Sequence, residues 1–238
     1  MSSSLLLNSY PVYKLFDVFM IAGTLGLGIC YAIARYFGHV STFCDISCLV
    51  VDLPERIIFR MNFSLVGSLL AAMAFPMHQM LMQRVGGTTV TVATTFQCIS
   101  GLGVILVGAC GPTEIIEVHL LAAFLGFGGS AIAQGIYNFL LFGEDKETMP
   151  DSAKRIFGVR VALSIIFVVC AICEGLCAAD VIPEEPWGHI FEWSLWFDLL
   201  AWYFTFKWDL KDFYVGSMEE KKAVGSTVML IGASVPLL

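Results

Sequence analysis

LFDVFMIAGTLGLGICYAIARYF, from Leu15 to Phe37, is a near-continuous apolar run. About 30 Å of hydrocarbon divided by about 1.5 Å of helical rise per residue asks for about 20 such residues, so the run is long enough to cross a bilayer. It is too long for the core of a signal peptide and has no convincing cleavage site, so it is expected to stay in place as an uncleaved signal anchor.

Five further runs repeat the pattern, at Met61–Met82, Thr89–Cys110, Val118–Phe142, Ile156–Ala179 and Gly188–Trp208. They are continuous rather than alternating, which rules out a barrel and leaves helices as the spanning form. The composition agrees. Apolar residues make up 58% of the 238, charged residues 14%, and mean hydropathy is +0.80, leaving too little charge to clothe a water-soluble surface. The fold expected is all-α: a polytopic membrane protein, a bundle of six transmembrane helices. The formal charge of −7 comes without any basic patch interleaved with aromatics, so nucleic acid is excluded as a partner.

The connections set an orientation. Lys14, Arg84, Lys146, Lys154, Arg155, Lys207, Lys211, Lys221 and Lys222 fall on one side, Arg56 and Arg60 on the other. The positive-inside rule then puts both termini in the cytosol. The stretches Gly111–Glu117 and Asp180–Trp187 hold no Lys or Arg and suit the lumenal face. Residues 1–14 are expected as a cytosolic N-terminus, 15–208 as the six-helix domain with a first lumenal loop at 38–60, and 209–238 as a cytosolic tail. Its apolar end, Ser226–Leu238, is too short to span.

The first loop gathers charge. In CDISCLVVDLPERIIFRMNFS, Cys44 to Ser64, two aspartates, a glutamate and two arginines run directly into the second span. Arg60 enters the membrane, where its long stem lies along apolar surface while the guanidinium stays at headgroup level. Asn62-Phe63-Ser64 matches a glycosylation acceptor but sits at the membrane boundary, and Asn62 is expected to remain unmodified.

Ile46, Ser47, Pro54, Glu55, Phe59 and Arg60 form a pattern in this loop, with Glu192-Trp193 and Thr205 through Asp209 near the end of the chain. By these residues the sequence resembles the Frag/DRAM/Sfk superfamily over nearly its whole length. That superfamily includes damage-regulated autophagy modulators, GPI-anchor lipid-remodelling factors and Sfk-type regulators of phosphoinositide synthesis. Gly38-His39-Val40 and Asn62-Phe63-Ser64 look like the autophagy modulators, whereas Pro54-Glu55-Arg56 through Phe59-Arg60 is similar to the GPI-remodelling branch. Cys44-Asp45 and Leu49-Val50-Val51 depart from the family's usual pairs. The resemblance implies a multi-pass protein of the Golgi or ER acting in GPI-anchor lipid remodelling. The alternative is a non-enzymatic, DRAM-like modulator of autophagy in the lysosome, and the third a transporter or a phosphoinositide-synthesis scaffold at the plasma membrane.

His39, Glu55, Arg56, Arg60 and Asn62 are the expected lipid-headgroup residues, since paired guanidinium groups suit phosphate oxygens. Membrane lipids, GPI or another phospholipid, are thus the expected partners, beside membrane proteins that the sequence does not identify. The plainer alternative pairs Glu55 with Arg56 inside the loop. If acyl transfer occurs, His39 is the candidate general base, with Glu55 or Glu192 as the carboxylate that orients it. No acyltransferase or nucleophile-elbow motif is present, and no cofactor is implied. A metal cluster of His39 with Cys44 and Asp45 lacks a fourth ligand, so no metal is expected. A disulfide between Cys44 and Cys48, or from either to Cys110 or Cys177, is favoured over two free thiols.

Within the spans, Gly126, Ser130, Gln134 and Asn138 recur every four residues, a stripe expected to face protein. Asp198, in the middle of the last span, must be protonated or partnered; Gln134, Arg160 and His78 are the candidate partners. Glu174 and Glu192 lie near the lumenal ends of their helices and are expected to share a pocket with His39 and Glu55. Trp187, Trp193, Tyr203 and Trp208 read as interfacial anchors, and His78 and His119 as ordinary hydrogen-bonded histidines.

Overall fold

The computed structural model describes residues 10–40, 43–143, 151–211 and 214–215. Residues 1–9, Lys146, Lys221, Lys222 and the apolar tail Ser226–Leu238 lie outside them. Six long helices follow in order: α1 (Tyr13–Phe37), α2 (Glu55–Arg84), α3 (Thr88–Ala109), α4 (Ile116–Phe142), α5 (Asp151–Ala178) and α6 (Glu184–Phe204). The first five are long and apolar enough to cross a membrane. The sixth has 21 residues but carries His189, Glu192 and Asp198 among its aromatics and is less apolar. Two-residue strands, β1 (Tyr10–Pro11) and β2 (Tyr214–Val215), pair antiparallel just outside α1 and α6.

Each helix packs on its neighbours in sequence, and α6 returns to α1, so the six close into a ring. Aromatic side chains fill the space between them. Phe59 stacks on Phe63 and Phe63 on Trp196, with ring centroids 4.0 and 4.4 Å apart, while Tyr137 of α4 stacks on Trp202 of α6. Tyr203 is fully buried, not an interfacial anchor. It falls on the α6 face of Trp196, Leu199 and Leu200, one helical turn along, and that face points inward. Trp187 and Trp208 are exposed as expected.

α2 starts upstream of its apolar run. Pro54 precedes the first turn of α2 and Glu55 sits within it, where a carboxylate meets the positive end of the helix dipole. The residues 55–60 expected in the loop are therefore helical, and the first loop shrinks to 38–54. Gly38, at φ 74°, ends α1: its N–H reaches the Arg35 carbonyl and the N–H of His39 reaches that of Ala34. This left-handed turn suits glycine and swings His39 back over the bundle.

Glycine also permits the closest crossings. A methyl group on Gly103 would lie 2.2 Å from the backbone nitrogen of Gly126, and one on Gly101 2.6 Å from the Gly67 carbonyl oxygen. Polar side chains tie the same helices where no water can. Gln97 donates to the Leu70 carbonyl at 2.9 Å and accepts from the Tyr137 hydroxyl at 2.7 Å. Ser100 donates to the Gly126 carbonyl at 2.6 Å, beside a π-helical turn at Phe124–Gly128. Ser164 of α5 receives the Asn138 amide and donates to Gln134. Forcing the α3–α4 backbones apart costs about 1–3 kcal/mol in a packed core. Gly103→Ala should therefore lower the thermal midpoint in detergent by about 2–12 °C, read by intrinsic fluorescence.

Candidate functional site

Charged and polar side chains collect at the two ends of the ring. At the end where β1 and β2 pair, Arg160 is 2% exposed and donates from Nε to the Thr205 hydroxyl (2.8 Å) and from Nη2 to the Thr205 carbonyl (2.9 Å) and to Asp209. Its guanidinium lies 3.9 Å from the centre of the Phe206 ring. Thr205 and Asp209, four residues apart in the sequence, thus act as one clamp on α5. Arg84 reaches Asp209 at 3.4 Å, and Lys207 pairs with Asp17 at 2.5 Å.

At the opposite end the first loop lies over the ring. Its centre is a 3-10 helix, Ile46–Val50, whose Leu49 and Val50 are buried. Glu192 of α6 takes the backbone N–H of Ile46 at 2.8 Å and the hydroxyl of Ser47, satisfying donors at the start of that helix. Trp193 donates to the Cys44 carbonyl at 2.8 Å, and His189, one turn before Glu192, pairs with Asp45. His119 of α4 meets the Cys110 carbonyl through Nδ1 at 2.7 Å and the Ser47 oxygen through Nε2 at 3.3 Å. The loop is thereby pinned to α6 and α4.

His39 and Glu55 join through Nδ1 and Oε1 at 2.6 Å; Glu55 is 1% exposed, and its Oε2 is buried with no hydrogen-bond partner among the described residues. The intraloop Glu55–Arg56 pair is replaced by this one, because the first turn of α2 directs Glu55 inward. Arg60 instead grips both oxygens of Glu114, at 2.6 Å each, and Arg56 approaches the same carboxylate at 3.8 Å. The Gly111 N–H and the Arg60 guanidinium hold the Glu114 carboxyl below the usual carboxylate range.

The expected common pocket of His39, Glu55, Glu174 and Glu192 is divided. His39 and Glu55 pair, Glu192 serves the loop backbone, and Glu174 keeps a buried oxygen without a partner among the described residues, 4.0 Å from a methyl placed on Gly188. Asn62 is 8% exposed, packed over Gly26 of α1 and shielded from modification. Asp198 is buried, with Oδ2 unpartnered among the described residues. Its expected partners are engaged elsewhere: Gln134 with Ser130 and Ser164, Arg160 in its clamp, His78 with Thr94.

All eight cysteines are free, so the expected disulfide is not formed. Cys44 is buried and Cys48, within the 3-10 helix, is exposed. Burial pushes the Cys44 thiol up to about 11.

Sequence reasoning missed His189 and Glu114. His189 lies three residues before Glu192 and hence on the same helical face. Glu114 is an acid in a loop assigned to the same side as Arg56 and Arg60. Both signals were available, but distance in sequence hid the pairing.

A family model for the Frag1/DRAM/Sfk1/Cwh43P N-terminal domain matches residues 12–213. No match was found among curated proteins or among solved structures. The matched span includes both pinning arrangements.

Two outcomes check this geometry. A maleimide should modify Cys48 in the folded protein and spare Cys44, equally with and without reductant. A carboxylate held below its ordinary range stabilises the fold above that range and loses the contribution as pH falls through its lowered value. The thermal midpoint of wild type should therefore exceed that of Glu114→Gln at about pH 7, and the gap should close toward about pH 3.

Proposed function

The chain belongs to the Frag1/DRAM/Sfk1/Cwh43P family, and from that premise we propose that it is a membrane factor in GPI-anchor lipid remodelling which engages lipid headgroups at its first-loop end. One observation carries the reading: two guanidinium groups, Arg56 and Arg60, share the single carboxylate of Glu114. All three side chains are a third or more exposed, at 33%, 36% and 40%. One positive charge is left over, and Arg60 Nε is buried without a partner among the described residues. A phosphate has the oxygens to bridge both arginines, and its charge balances the surplus. Glu55 and Asn62 are buried, His39 is exposed and paired with Glu55, and Glu192 spends its oxygens on the loop. The reading is therefore one of lipid binding rather than catalysis.

The topology that goes with it has six crossings. The β1–β2 pairing and the Lys207–Asp17 ion pair hold the start of α1 and the segment after α6 together on one side of the ring. That arrangement favours an even number of crossings, with α6 as the sixth beside the five more apolar helices. The basic connections favour a cytosolic location for those ends, which leaves the first loop in the lumen of the Golgi or ER.

A second reading, a non-enzymatic lysosomal modulator of autophagy, is favoured by how fully the loop is tied to its own protein. Asp45, Ile46, Ser47 and the Cys44 carbonyl all bond to α6. Such a closed lid suits an interaction module as well as a lipid handler.

Arg56→Gln with Arg60→Gln should lower surface GPI-anchored protein severalfold while the abundance of the variant stays at the wild-type level. Unchanged surface levels, or residence of the tagged chain in lysosomes, would count against the first reading.

A further inference from the structure

We propose that His39, Asp52 and Glu55, brought together where the end of α1 meets the start of α2, form a binding site for a zinc-class divalent cation. One donor atom from each lies within 4.8 Å of the others. The arrangement goes beyond the headgroup reading, since neither Arg56 nor Arg60 belongs to it.

The backbone fixes all three positions. The left-handed turn at Gly38 sets His39 over the ring, and the Asp52 carbonyl accepts the N–H of Arg56 at 2.9 Å, folding Asp52 onto the first turn of α2 that carries Glu55. Asp52 and Glu55, three residues apart around Pro54, are thus presented together.

Charge and hydrogen bonding both leave the cluster incomplete. Two carboxylates face one imidazole, so even a protonated His39 leaves a net negative charge beside a carboxylate that is 1% exposed. Glu55 Oε1 has His39, but Oε2 is buried and lacks a donor among the described residues. A buried carboxylate oxygen without a partner is costly, and a divalent cation removes that cost and the charge excess together.

The donor set selects the ion. One imidazole with two carboxylates suits zinc and its neighbours, whereas calcium and magnesium prefer oxygen alone. A tetrahedral ion with bonds of about 2.0–2.1 Å holds two donors about 3.3 Å apart. The His39–Glu55 contact, at 2.6 Å, therefore opens by less than about 1 Å to admit it. Three protein ligands leave a fourth position on the exposed side, where His39 and Asp52 face outward, for water or an anionic oxygen. Asp45, weighed from the sequence beside His39, pairs with His189 instead.

The test uses the full chain, purified in detergent, stripped with a chelator, and titrated with zinc(II) alone and cobalt(II) alone. The expected result is about one equivalent of zinc bound, undisplaced by calcium, and visible cobalt bands of four-coordinate intensity. Asp52→Asn and His39→Gln should each weaken zinc by more than about tenfold. Asp52 is exposed, so Asp52→Asn should keep the wild-type elution volume and metal-free thermal midpoint. Zinc binding that is absent, or that is unchanged in Asp52→Asn and His39→Gln, overturns the proposal.

Discussion

A bilayer offers no water to an unpaired polar group, and that constraint organises this molecule from end to end. Between the helices, amides and hydroxyls are used against one another. Gln97 joins the α2 backbone to Tyr137 of α4, and Ser164 joins α5 to the Gln134 and Asn138 amides. Only small residues let such short side chains reach across, which is why Gly101, Gly103 and Gly126 stand at the crossings. The ionic pairs described lie instead at the two ends of the ring, where headgroups and water reduce the cost of charge.

α6 is the element on which both ends depend. Its first half supplies His189, Glu192 and Trp193 to hold the loop, and the turn after it supplies Thr205 and Asp209 to hold Arg160. Among the described residues, α6 is the long helix that falls short of the apolar character a membrane span needs. Its inward face compensates with Trp196, Leu199, Leu200 and Tyr203, all buried. A helix so rich in partners gains from packing what it lacks in hydropathy.

The loop end divides its labour among neighbouring groups. Glu192 and His189 fix the loop, and the Arg60–Glu114 clasp fixes the start of α2 against the loop before α4. Beside them, Arg56 retains positive charge and the His39–Asp52–Glu55 cluster retains negative charge. The loop and the first turn of α2 thus present both signs of charge side by side.

The sequence alone determined the class of fold, because apolar run length is a local property that a bilayer reads directly. It also determined the motif positions, whereas the left-handed turn at Gly38 came only with the structure. What it could not determine was pairing. Glu55 was free to meet Arg56 or His39 until the first turn of α2 aimed it inward, and Glu114 lies 54 residues from Arg60. Ring closure made those choices: α6 brought Glu192 to a loop 145 residues away, and Arg160 went to Asp209 rather than to Asp198. Contacts between distant segments depend on how helices rotate and cross, and only the packed aromatic interior fixes that rotation.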